Sequence, residues 1–258
     1  MSWIRCLFRL GLLVAHIVAG LLICVFYLRA VDSPRGAART PIVGWWFRRL
    51  CHIAGLKITA HGRIPGGTAL IVANHVSWLD IPILGGLVRT RFVSKIEIGK
   101  WPIVGRLVRS VGTLFIRRGG KNAAAAAAEQ MTWHLRRGNS IAMFPEGTTT
   151  DGSTVKRFHP RLFAAALLAN TPVQPVAIRY PRAGRVHPAA PFIDEMNFVY
   201  HALGVLRQKS MDVEITFCPP LKPSDHSDRR VLAEQAHKRI KDVVCSQQAA
   251  AVNQTAGS

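Results

Sequence analysis

The chain has 258 residues, 49% of them hydrophobic, and its 34 Lys and Arg against 14 Asp and Glu give a formal charge of +20. That length admits one α/β domain with a real core plus an appendage, and a chain both apolar and basic suits an anionic membrane surface or an acidic partner. The cations are spread along the chain, without the basic cluster and interleaved aromatics of a nucleic-acid surface, so nucleic acid is not expected as a partner.

Residues 10–28 contain no Asp, Glu, Lys or Arg. As a helix they would extend roughly 28 Å, close to the hydrocarbon thickness of a bilayer. A cleaved signal peptide is the rival, since Arg5 and Arg9 resemble its charged leader. The run is long for that role and no small-residue cleavage site follows it, which favours an uncleaved anchor. Arg29, Arg35, Arg39, Arg48 and Arg49 follow the anchor against Arg5 and Arg9 before it. The positive-inside bias therefore puts the bulk of the chain in the cytoplasm.

Residues 41–56 read as an amphipathic helix. Val43, Trp46, Phe47, Leu50 and Ile53 share one face, and Arg48, Arg49 and His52 share the other. Such a helix lies in the headgroup layer or packs on a domain core, and the two are compatible on different sides. From residue 57, short β-type runs at 57–60, 69–73, 91–95, 113–116, 140–144, 173–178 and 212–217 alternate with helical stretches. Those stretches cover 77–87, 101–111, 121–137, 158–169, 197–207 and 228–246. This alternation predicts an α/β fold with a mostly parallel central sheet flanked by helices. The expected divisions are an anchor at 1–32, a linker and amphipathic helix at 33–56, the α/β domain at 57–248 and a flexible tail at 249–258. The five cysteines form no C-x-x-C pair, which speaks against a zinc site or a disulfide framework.

Ligands of open α/β sheets bind beyond the carboxyl ends of the strands. Three motifs here each follow a predicted strand. Asn74-His75-Val76-Ser77-Trp78-Leu79-Asp80 follows 69–73, and sets an imidazole and a carboxylate five residues apart. An alcohol attacking an acyl group needs a base, imidazole has the right pKa, and a carboxylate can fix its tautomer. The plain alternative is a capping box, with Ser77 as helix cap and Asp80 three residues in. Arg117 and Arg118 follow 113–116 and could clamp a phosphate or carboxylate, or simply form a solvated basic loop. Phe144-Pro145-Glu146-Gly147-Thr148-Thr149 follows 140–144, where glycine permits close backbone approach and the threonines offer hydroxyls. Pro172 and Pro175 flank a fourth segment, the weakest of the set.

Together these segments resemble the glycerolipid acyltransferase superfamily, in particular the bacterial 1-acylglycerol-3-phosphate acyltransferase type. The N-H-x-x-x-x-D and F-P-E-G-T motifs, in order and about 70 residues apart, carry the resemblance. It implies an O-acyltransferase in which His75 is the base and Asp80 its partner. It implies that Arg118, Glu146 and Gly147 hold the polar acceptor and that Pro175 shapes the pocket, with Arg117 and Thr148 beside them as further candidates for binding it. It further implies an acyl-CoA or acyl-carrier-protein donor, a lysolipid acceptor, no metal and no cofactor, at the bacterial inner membrane with the domain facing the cytoplasm. The acceptor implied is 1-acyl-sn-glycerol-3-phosphate. Three departures, at Arg117, in Gly147-Thr148-Thr149-Thr150-Asp151-Gly152 and in Phe158-His159-Pro160-Arg161-Leu162-Phe163, are similar to the lyso-ornithine lipid acyltransferase branch.

Overall fold

The computed structural model describes residues 2–24, 41–116, 123–225 and 228–255. The cations at 29, 35, 39, 117 and 118 and the residues 256–258 lie outside the described residues. Each predicted strand is present: β1 (Leu56–Gly62), β2 (Leu70–Ala73), β3 (Arg91–Lys95), β4 (Leu114–Ile116), β5 (Ile141–Met143), β6 (Val173–Arg179) and β9 (Met211–Phe217). A small antiparallel hairpin, β7 (Pro181–Arg182) with β8 (Arg185–Val186), was not anticipated, because two-residue strands carry no periodicity to read.

The seven long strands form one sheet in the order β1-β9-β6-β2-β5-β3-β4. From β6 to β4 all neighbours are parallel, whereas β9 joins β6 antiparallel and pairs parallel with β1. The central strands are buried on both faces, as crossover topology demands. Alternate residues feed two cores. Ile71, Ala73, Val176 and Ile178 face one side, with α2 (Pro41–Ala54), α3 (Asp80–Leu87) and α7 (Phe198–Arg207). Leu70, Val72, Val173 and Ala177 face the other, with α5 (Ala123–Arg136), α6 (Ala164–Ala169) and α8 (Arg229–Thr255). The short α4 (Val104–Ser110) follows β3.

α2 packs on the core through Val43, Phe47, Cys51 and Ala54. Close contact with α3 requires glycine there: a Cβ at Gly85 would sit 2.5 Å from the Phe47 ring. Arg48, expected on the solvent face, instead donates to the Gly86 carbonyl at 2.9 Å. α8 continues to Thr255, past the expected end at 246, because Ala249, Ala250 and Ala251 propagate a helix readily. The expected tail from 249 is therefore mostly helical.

α1 (Ser2–Ile23) is, among the described residues, the one helix long and apolar enough to cross a membrane. It begins earlier than the apolar run and docks on the domain. Cys6, His16 and Gly20 are buried, while Ile4, Leu7, Phe8, Val14, Val18 and Leu22 point outward. His16 stacks on Trp46 of α2 at 4.7 Å, and a Cβ at Gly20 would meet the same indole at 2.8 Å. Arg5 and Arg9 cap the C-terminus of α7. Arg5 donates to the Arg207 carbonyl at 3.0 Å, and Arg9 to those of Leu206, Gln208 and Lys209 at 2.7–3.3 Å. Cations at a helix C-terminus satisfy its orphan carbonyls and its dipole.

Candidate active site

β2, β5 and β4 are parallel, so the strands that precede the three motifs all end at one edge of the sheet. Beyond the last residue of β2, Asn74 extends the pairing with β6. Its amide donates to the Ile178 carbonyl at 2.9 Å and accepts from the Ile178 N–H at 2.7 Å. The chain then turns, and His75 is held from both sides of its backbone. Its N–H donates to Glu146 Oε1 at 2.7 Å, and its carbonyl accepts from the Thr150 N–H at 2.8 Å. The imidazole lies flat on Phe144, with centroids 4.0 Å apart and planes inclined by 13°.

His75 Nδ1 donates to Asp80 Oδ2 at 2.8 Å. That bond sets the tautomer and leaves Nε2 as the basic nitrogen. The ring is 18% exposed, while Asp80 is wholly buried. Nε2 has no hydrogen-bond partner among the described residues. The Asp80 carboxylate is fully engaged: Oδ2 also accepts from Val76 N–H at 2.8 Å and Ser77 N–H at 2.9 Å, and Oδ1 accepts from the Tyr180 hydroxyl at 2.6 Å. A buried carboxylate is tolerable when its lone pairs are satisfied in this way. Burial first, then the neighbouring Asp80, raises the Tyr180 phenol well above its ordinary value, so it stays an O–H donor.

The Ser77 cap of the alternative reading does not form. Leu79 occupies the cap position of α3, and the buried Ser77 hydroxyl has no partner among the described residues. The carboxylate of Asp80 reaches back to the loop N–H groups in its place. Half of a capping box is thus present, and the half that is present is the one that fixes Asp80.

Glu146 is 4% exposed, and its second oxygen accepts from the Lys156 N–H at 2.7 Å. Both oxygens therefore clamp backbone. Burial pushes its carboxyl up to about 7, against the pull of the two N–H donors. Gly147 turns the loop with φ of +76°, a conformation that L side chains rarely adopt. Thr148 is exposed, whereas the Thr149 hydroxyl donates to the Phe192 carbonyl. Pro175 sits inside β6, in register with Val72, three strand positions before His75. Arg117 and Arg118 lie outside the described residues, although β4, which they follow, ends at the same sheet edge.

Tyr180, Phe144 and Thr150 are members of this site that spacing alone did not single out. Phe144 was legible as part of its motif. Tyr180 was not: it is 100 positions from Asp80, and only strand order brings it near.

An acyltransferase family model matches residues 56–179. A lyso-ornithine lipid O-acyltransferase of Pseudomonas aeruginosa is 39% identical over 93% of this chain and 94% of its own. A 1-acyl-sn-glycerol-3-phosphate acyltransferase of Neisseria gonorrhoeae is 29% identical over 70% of each. The fold matches the crystal structure of a 1-acyl-sn-glycerophosphate acyltransferase from Thermotoga maritima, with a TM-score of 0.73, 20% identity and 96% of each chain covered. The chain belongs to the acyltransferase family.

Proposed function

We propose that this protein is a membrane-associated O-acyltransferase that moves a fatty acyl group from a thioester to the hydroxyl of a lysolipid. The observation that carries the reading is the His75–Asp80 contact of 2.8 Å at the carboxyl edge of the sheet, with Nε2 left for a substrate. Nε2 takes the proton of the acceptor hydroxyl as that oxygen attacks the thioester carbonyl carbon. The C–S bond then breaks, and the leaving sulfur recovers the proton from the imidazolium. Asp80 and Tyr180 orient the imidazole, and Glu146 positions it by clamping the His75 backbone. The donor is acyl-CoA or acyl-carrier protein, no cofactor takes part, and Arg117, Arg118, Gly147 and Thr148 hold the acceptor headgroup while Pro175 shapes the pocket.

Two acceptors come into question. The relative at 39% identity is named for lyso-ornithine lipid and covers nearly the whole chain, which favours that acceptor. The 29% identity to the Neisseria relative over 70% of each chain supports 1-acyl-sn-glycerol-3-phosphate as the second reading. One purified preparation assayed with both acceptors and both donors tests this. Faster turnover of lyso-ornithine lipid supports the first reading, the reverse order supports the second, and no acylation of either overturns the enzyme. Arg118→Ala should raise KM chiefly for the phosphate-bearing acceptor if that lipid is the substrate. The apolar α1 and the basic chain suit the inner membrane of a bacterium, with the domain on the cytoplasmic side.

A further inference from the structure

Large apolar side chains are exposed on the outward face of α1, elsewhere at Trp45, Ile64, Trp133, Leu168 and Val231, and at Trp101 (43%), Ile103 (50%), Met196 (48%), Val199 (60%) and Tyr200 (77%). The last five come from the β3–α4 connection and the start of α7, and the Trp101 ring meets Phe198 at 6.2 Å. α1 packs against both α4 and α7, so these residues lie on elements that adjoin it. They also stand beside the candidate active site. Trp78, three residues after His75, donates its indole N–H to His201 Nδ1 at 3.0 Å, and its ring meets Phe198 at 5.2 Å. Phe192 donates its N–H to the Val76 carbonyl at 2.9 Å. The 190s segment and α7 therefore rest directly on the loop that carries His75.

We propose that the first turn of α7 and the Trp101–Ile103 connection form a second lipid-contacting element, separate from α1, that seats the catalytic edge in the headgroup layer. It rests on the lysolipid reading above, and names how the acceptor arrives: sideways from the bilayer, past Trp101 and Phe198, rather than through water. The occupant is an anionic lipid surface. Exposed Lys95, Lys100 and Arg106 flank the apolar tip against a single acid there, Glu97. Asp194 and Glu195 precede Met196, so the attraction to anionic headgroups falls to the 95–106 segment. An amphipathic tip of tryptophan, tyrosine and aliphatic side chains beside cations is what the bilayer interface selects. Exposure of this much contiguous apolar surface in water is otherwise a liability.

The test uses the full chain with I103S/V199S/Y200S. All three side chains are at least half exposed, and none belongs to the site, so an unchanged Tm is expected. Turnover of a short-chain acceptor, monomeric in water, should stay within about twofold of the parent. For a long-chain acceptor in anionic vesicles, KM should rise by about tenfold or more, because interfacial partitioning scales with apolar area. Equal kinetics on vesicles for parent and variant would overturn the proposal. A second readout does not depend on catalysis: a polarity-sensitive fluorophore on Tyr200→Cys, in a Cys245→Ser background, should shift to the blue on anionic vesicles. A blue shift without acylation of any acceptor would support the lipid contact while sinking the acyltransferase reading. Acylation with a probe that stays aqueous would do the opposite.

Discussion

The β2–α3 junction and the α1–α7 seam are both tied by side chains bonding to backbone, yet they meet different surroundings. At the junction, Asp80 has donors on both oxygens and is wholly buried, and Glu146 spends both oxygens on N–H groups. At the seam, two arginines cap a helix end while the apolar faces nearby stay exposed. The first arrangement over-determines one geometry, which suits a group that must hold a reacting atom in place. The second fixes only where a helix lies and leaves its outer face for another phase. Damage at the junction should therefore appear in turnover, and damage at the seam in stability or in access to lipid.

The sharpest break of this contrast is His75→Ala, expected to lower kcat by about 10²-fold or more while the protein stays folded. Near-native turnover of the folded variant would remove His75 from the chemistry. Next is Glu146→Gln. The amide offers one acceptor where the carboxylate offered two, so one buried N–H loses its partner, at a cost of about 1–3 kcal/mol in a denaturant titration. The variant also sharpens the pH argument. The unfolded chain releases this proton near the ordinary value of 4.5 and the folded chain near 7, so the folded state binds more protons in between. Parent stability should therefore fall as pH rises through that window, and the Gln variant should lack that part of the slope.

Tyr180→Phe removes one donor to Asp80 and little else. It should lower kcat by a few-fold to about tenfold with KM unchanged, since a hydrogen bond to a charged group contributes ~1.5–3 kcal/mol and Tyr180 acts on the imidazole only through Asp80. A rise in KM with constant kcat would assign Tyr180 to substrate binding instead. The smallest effect is expected at the seam: Arg9→Ala should cost about 1 kcal/mol through the lost α7 cap and leave kcat on a soluble acceptor unchanged. A drop in that kcat would show that the two regions are coupled more tightly than their contacts indicate.

Much of this was readable locally. The strand at 69–73 announces itself as a short apolar run, and 121–137 as an alanine-rich helix, present as 123–136. The His75–Asp80 pair was readable too, because both residues belong to one turn and their contact is decided within six positions. The capping-box alternative is met by half: Asp80 accepts from the Ser77 N–H as the S-x-x-D spacing suggests, while the Ser77 hydroxyl has no partner among the described residues. For α2 and α1, amphipathicity reported an apolar face without saying what covers it. Gly20 and His16 lie within the uncharged run and mark the side of α1 that docks on Trp46.

By itself the sequence determined the α/β class, the strand and helix positions, and the two motifs whose spacing identifies the chemistry. These follow from interactions between residues close in the chain, where periodicity and turn residues act directly. Only the tertiary structure decided that β9 and β1 run against the other strands, that Tyr180 completes the environment of Asp80 from 100 positions away, and that α7 lies over the His75 loop. Those are contacts between distant segments. They depend on strand order and on which apolar faces cover one another, and a linear pattern of residues leaves both open.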